Sequence, residues 1–243
     1  MTRRRWIADE ASGDHAALVG EHAGHLVRVL RARIGQDFDI VAGGVVRRGR
    51  VASVHPDRVE FDLGEQVADS DSPEITLLLS IYKFDRMEWA IEKCTELGVS
   101  RIVPLISRRT DAHLASASVK RVERWRRIAR QAAEQSRRAA PPEVETPIKV
   151  AEALRFPNSL RILLAEGEHR TLLRDALKSH EANDGLVLAI GPEGGWTKEE
   201  LQAFRQAQWI SASLGNTILR AETAAIAAIA VAISELSHPE FPH

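Results

Sequence analysis

Residues 75–82 read ITLLLSIY, and this nearly unbroken apolar run constrains the chain more than any other feature. A strand with one wet face alternates apolar and polar residues. A strand without that alternation is covered on both faces, as in a parallel sheet flanked by helices. The period then changes. Met87, Ala90, Ile91, Cys94 and Leu97 fall on one helical stripe, and Gly98 is placed to end the helix. Asp85, with Glu88 three residues later, offers an N-cap in a capping-box variant. Residues 101–106 read as the next strand, and Val122, Trp125, Ile128 and Ala132 as the buried face of a second helix. Further strands are expected at 160–166 (LRILLAE), 186–190 (LVLAI) and 209–215 (WISASLG). Alternating units of this kind predict an α/β fold, a mostly parallel sheet with helices on both faces.

The chain before residue 67 has a different rhythm. DFDIVA and VVRRGRVASV flank Gly43-Gly44, a pair suited to a tight hairpin, and RVEFDL follows as a further alternating strand. Residues 24–31 precede the hairpin as a short helix or turn, on which His25, Arg28 and Arg31 are spaced to share a face. The segment VADSDSPE is polar, acidic and proline-containing, as a linker is. The expected organisation is a small β-barrel over 1–69, a linker over 70–74, an α/β domain over 75–238 and a disordered tail over 239–243.

A single cysteine, Cys94, excludes a disulfide framework and a Cys-based zinc cluster, and fits a reducing cytoplasm. The histidines show no metal-ligand spacing such as HExxH, and no G-x-S-x-G elbow supports a hydrolase. The basic start MTRRR has no apolar run behind it, so it does not read as a signal peptide. Residues 224–236 are too short and too Ala-rich to span a bilayer. The net charge of −1 argues against a uniformly basic nucleic-acid binder. Residues 101–138, however, hold eleven Lys/Arg against three acids, a local +8 that suits a polyanion at one face or a solvated helix.

Two loops call for close backbone approach. In LVLAIGPEGGWTKEEL (186–201), three glycines and a proline separate a strand from a helix. Thr197 and Glu200 have capping-box spacing, so the helix satisfies its own first amides. The backbone of residues 191–195 is then what a small, partly apolar ligand meets, beyond the carboxyl ends of the strands. A tight structural turn is the plainer alternative. The stretch is neither the dinucleotide fingerprint nor a P-loop. In SLGNTILRAETAAIAAIAVAISEL (213–236), a loop ends at Arg220 and an Ala/Ile-rich helix starts near Glu222. Glu222 suits the positive end of that helix; Arg220 does not, and so needs an anionic partner. Glu134 and Arg138, four apart, are spaced to pair on a helix surface.

Five segments resemble, in the same order, the ribosomal RNA small subunit methyltransferase E family of the SPOUT superfamily. They are HLVRVLR (25–31), KFDRMEWAIEKCTELGVSRIVPLIS (83–107), EQSRR (134–138), IGPEGGWTKEE (190–200) and LGNTILRAETAAIAAI (214–229). IGPEGG together with LGxxILRxETA is the specific part. The resemblance implies a PUA-like RNA-binding barrel, then a SPOUT-type domain whose chain forms a trefoil knot. It also implies a homodimer, S-adenosylmethionine as donor, and methylation of N3 of one uridine in 16S rRNA of the small ribosomal subunit. By position, Ile190, Gly191, Pro192, Glu193, Gly194, Gly195, Leu214, Gly215, Ile218, Leu219, Arg220, Thr223 and Ala224 would hold the cofactor. Arg220 or Arg138 would face the reacting base, with Glu222 a candidate general base. Arg4, His25, Arg28, Arg31, Arg109, Arg137 and Arg138 would bind RNA. The family more often has Thr at position 221 and Glu at position 108, where this chain has Ala221 and Arg108. A non-catalytic RNA-binding or ribosome-assembly module is the competing reading; it shares the basic stripe but leaves both glycine loops unexplained.

Overall fold

The computed structural model describes residues 5–67, 73–156, 160–168, 170–178 and 185–236. Arg4, residues 70–72 of the expected linker and the 239–243 tail lie outside the described residues. Packing divides the chain into two units. One comprises Met1–Asp71 with Ser136–Ala140, and the other Ser72–Gln135 with Pro141–His243.

In the first unit, residues alternating between core and solvent build one sheet. Its strands are β1 (Arg5–Ile7), β2 (Glu10–Ser12), β3 (His15–Val19), β4 (Asp37–Ala42), β5 (Val45–His55) and β6 (Arg58–Gln66). The order is β1-β4-β5-β6-β3-β2, antiparallel except between β1 and β4. The β4–β5 hairpin turns at Gly43 and Gly44, both with positive φ, as the glycine pair predicts. Helix α1 (Gly20–Arg28) lays Ala23 and Leu26 into a core with Trp6, Leu18, Phe38, Ile40, Val51 and Phe61. His25 and Arg28 lie in its last turn, but Arg31, with φ 53°, is past its end. A left-handed residue breaks the helical ladder, so the three basic residues do not share a helix face.

The segment Ser136–Ala140 packs with this first unit. Arg137, itself at φ 58°, sets its guanidinium 4.1 Å from the centre of the buried Trp6 ring and donates to the Arg5 carbonyl at 3.3 Å. The helix before it ends at Gln135, so Glu134 and Arg138 are not one helical turn apart as their spacing suggests.

The second unit runs β7 (Ile75–Ser80), α2 (Phe84–Leu97), β8 (Arg101–Ile106), α3 (Ala112–Ser118) and α4 (Val122–Gln135). The short β9 (Glu143–Val144), β10 (Ile148–Lys149) and α5 (Val150–Ala153) follow, then β11 (Leu160–Leu164) and α6 (Leu173–Lys178). It closes with β12 (Leu186–Ile190), α7 (Lys198–Gln206), β13 (Ile210–Ala212) and α8 (Ala221–Leu236). The sheet has the order β10-β8-β7-β12-β11-β13, with β9 also on β8, and every pairing in it is parallel.

All six residues of β7 are buried because both faces are covered. Ile75, Leu77 and Leu79 meet α2, α4, α6 and α8, whereas Leu78 packs with Ala153 of α5 and Phe204 of α7. Gly98 ends α2 in a left-handed conformation, as expected. Its start differs from expectation: the N-cap is Lys83 without a side-chain cap, and Asp85 sits inside the first turn. The partly buried Phe84 packs edge-on against the buried Trp125, a contact of about 0.5–1.5 kcal/mol, comparable to the ~1 kcal/mol of a side-chain cap. Asp85 still meets the positive end of the helix there.

Candidate active site

At the carboxyl end of β12 the chain enters the glycine loop, residues 191–195, which is fixed from several directions. Thr197 caps α7 in the predicted box: its hydroxyl accepts from the Glu200 N–H at 3.2 Å, and the Glu200 carboxylate accepts from the Thr197 N–H at 2.9 Å. Glu200 is buried, and its other oxygen accepts the Arg108 N–H at 2.8 Å, so one carboxylate staples the loops after β8 and β12. The indole Nε1 of Trp196 donates to the Leu164 carbonyl at the end of β11. A Cβ on Gly191 would lie 3.1 Å from that Nε1, so the backbone passes the indole where only glycine fits without displacement. The Arg109 guanidinium donates to the Gly194 carbonyl.

The second loop, residues 214–220, leaves β13 and leads into α8, where the Arg220 carbonyl accepts the Ala224 N–H at 2.8 Å. Gly215 takes φ 131° within it. Both loops, with the turn after β11, line one cleft of about 790 Å³, within the usual range for small-molecule sites. Ile190, Gly191, Pro192, Glu193, Gly194, Gly195, Leu214, Gly215, Ile218, Leu219, Arg220 and Ala224 all line it. Thr223 does not; it is exposed on the first turn of α8. Arg109, read from the sequence as an RNA contact, is part of the cleft wall. His25, Arg28, Arg31, Arg137 and Arg138 belong to the first unit.

Sequence reasoning missed part of the lining. Leu164, Glu166 and Gly167 contribute a third wall, whose signal was the carboxyl end of the strand expected at 160–166. Arg86 was also missed. Its Nη1 lies 2.6 Å from Glu193 Oε1 and its Nε 3.8 Å from Glu222 Oε1.

Charge is unevenly satisfied here. Arg220 is exposed on the cleft and makes no ion pair among the described residues. Glu222 is 4% exposed, does not line the cleft, and its Oε2 has no hydrogen-bond partner among the described residues. Burial pushes the Tyr82 phenol well above its ordinary range, with Cys94, Glu222 and Glu193 adding to the effect. Among the described residues, no group of three or more His, Cys, Asp or Glu is placed to hold a metal ion. No helix among them is long and apolar enough to cross a membrane.

A family model described as an RNA methyltransferase domain matches residues 70–233. The chain is 31% identical over 228 residues to ribosomal RNA small subunit methyltransferase E of Rickettsia conorii, covering 90% of each. It is 34% identical over 212 residues to the protein of that name from Synechocystis sp., covering 85% of this chain and 68% of that one. The chain belongs to this family. A crystal structure of ribosomal RNA small subunit methyltransferase E from Neisseria gonorrhoeae, bound to S-adenosyl methionine, matches with a TM-score of 0.65 at 31% identity. The match covers 93% of this chain and 94% of that one. Ala221, read from the sequence as a departure from that family, lines the cleft. Arg108 engages Glu200 through its backbone N–H, which any side chain at 108 would allow.

Proposed function

We propose that the chain transfers a methyl group from S-adenosylmethionine to N3 of a uridine in 16S ribosomal RNA of the small ribosomal subunit. The observation that carries this reading is the convergence of two sequence-distant loops, 191–195 and 214–220, on one cleft that also presents Arg220, which makes no ion pair among the described residues. The residues fit the cofactor. Leu164, Ile190, Leu214 and Leu219 offer apolar contact to a flat base, and the glycine backbone offers donors and acceptors at close range. When bound, S-adenosylmethionine supplies an activated methyl group.

The chain's own residues hold donor and acceptor in line, which lowers the barrier chiefly through orientation. Uridine N3 gives up its proton to solvent before it takes the methyl group, and the negative charge of the resulting anion spreads to the base carbonyl oxygens until N3 is methylated. The Arg220 guanidinium is the group we assign to stabilise that charge, with Arg138 the second candidate. Glu222, enclosed beside Arg86, suits support of the loops better than proton transfer.

In the same reading the first unit is a PUA-like barrel whose His25, Arg28, Arg31, Arg137 and Arg4 contact RNA. The second unit carries a trefoil knot, a reading supported by family membership. The chain acts in the cytoplasm as a homodimer; the half-exposed Trp89 of α2 and the exposed Ala230 of α8 are surface that a partner copy would cover.

The test is methyl transfer to small-subunit rRNA from a strain lacking the enzyme, followed by nucleoside mass spectrometry. N3-methyluridine at a single site supports the reading; no transfer, or a methyl on another atom, refutes it. Arg220→Ala is expected to lower kcat by about 10²-fold while donor affinity changes little.

A further inference from the structure

Arg86 stands in the first turn of α2. A cation there opposes the positive end of the helix dipole, so local physics does not account for it. Its reason is tertiary: one guanidinium meets Glu193, 107 residues on, at 2.6 Å, and Glu222 at 3.8 Å. Glu193 lies inside the glycine loop, between Pro192 and Gly194. Glu222 is the second residue of α8, directly after the loop of residues 214–220. Glu222 is buried, and Arg86 supplies its ion pair.

We propose that Arg86 is a positioning residue that clamps the two loops of the cleft to each other through Glu193 and Glu222. The inference rests on S-adenosylmethionine being the ligand of the cleft. A loop with three glycines in five residues has many conformations open to it, and a ligand that must select one of them binds more weakly. Arg86 fixes the loop by the Glu193 side chain, while Arg109 fixes it by the Gly194 carbonyl. A forked guanidinium spans two carboxylates from separate elements; the single ammonium of lysine does not reproduce that geometry. Because Arg86 and Glu193 are both partly exposed, their pair adds little to global stability. Its effect falls on the geometry of the cleft.

Calorimetric titration of S-adenosylmethionine into the wild-type chain, Arg86→Ala, Arg86→Lys, Glu193→Gln and the double variant Arg86→Ala/Glu193→Gln tests this, with the ligand-free melting temperature of each measured alongside. Arg86→Ala is expected to weaken binding about tenfold, a coupling of ordinary size for a shared network. Glu193→Gln, an exposed and isosteric change, should weaken binding several-fold with an unaltered melting temperature. Arg86→Lys should recover only part of the loss. In the Arg86→Ala background, Glu193→Gln should have no further effect. Wild-type affinity in both single variants, or losses that simply multiply in the double variant, overturns the clamp. A wild-type chain that takes up no S-adenosylmethionine overturns the cofactor reading itself, and the clamp with it.

Discussion

The indole of Trp196 donates to the carbonyl of Leu164 at 2.9 Å, joining the loop that leaves β12 to the last residue of the neighbouring β11. The same indole packs edge-on with Phe204 of α7, and Phe204 with Trp209, so its plane is fixed by a row of edge-to-face aromatic contacts. The wall of the cleft therefore inherits the rigidity of the sheet behind it.

Gly191→Ala should damage this arrangement through one contact. The added Cβ meets Trp196 Nε1 at 3.1 Å and Cε2 at 3.2 Å, and the indole cannot retreat without loosening its bond to Leu164. We expect donor affinity to fall at least tenfold, read by calorimetry. Trp196→Phe loses the hydrogen bond, about 1 kcal/mol, and lowers the melting temperature by roughly 2–4 °C. It also makes room, so Gly191→Ala should weaken binding less in that background than in the wild type. Equal effects in both backgrounds would rule out the steric cause.

Two buried acids predict how stability responds to alkali. Burial raises the Cys94 thiol above its ordinary value of 9.0 and the Tyr82 phenol above 10.0. A group whose folded value is raised lends its full stabilisation below the unfolded value and loses it as the pH climbs past that point. The urea midpoint should accordingly hold steady from pH 7 to about 9 and drop by pH 10.5. The Tyr82 hydroxyl is buried without a partner among the described residues, so Tyr82→Phe should be no less stable than wild type and should lessen the alkaline drop. A steeper drop in that variant would contradict the assignment.

Much of the second unit was readable from residue order alone, and particular residues show why. The strands at 75–80, 101–106 and 186–190 announce themselves because each is covered on both faces, and the stripe Met87–Ala90–Ile91–Cys94 because one helical face is buried. Thr197 and Glu200 were legible because a capping box is local. What stayed hidden depends on long-range partners. Arg86 looked like a helix residue because its acids lie more than 100 residues away. Nothing in EQSRR signals that Arg137 stacks on Trp6, since that contact joins residues 131 apart. The start of α2 was misplaced because the long-range contact of Phe84 with Trp125 starts the helix one residue before the cap expected at Asp85.

The basic helix α4 is less basic at its surface than its sequence suggests. Arg124 grips Glu88 through two bonds at 2.6 and 2.8 Å, and Arg126 is held by Glu123 and the Val144 carbonyl. Arg127 and Arg130 are exposed and make no ion pair among the described residues. RNA affinity measured against salt should therefore separate the two groups. Arg127→Ala and Arg130→Ala should each weaken binding and reduce the slope of log K against log salt by about 0.7–0.9. Arg124→Ala should leave the slope unchanged and lower the melting temperature instead. Identical slopes for all three variants would remove α4 from the RNA-binding surface.

The cofactor site is tested most directly by a crystal structure of the chain soaked with S-adenosylhomocysteine, the demethylated donor. Continuous density is expected between residues 191–195 and 214–220, with the base against Leu214 and Leu219 and the sulfur facing Arg220. Density lodged elsewhere on the chain, or a cleft whose two loops separate when the ligand binds, would contradict that placement.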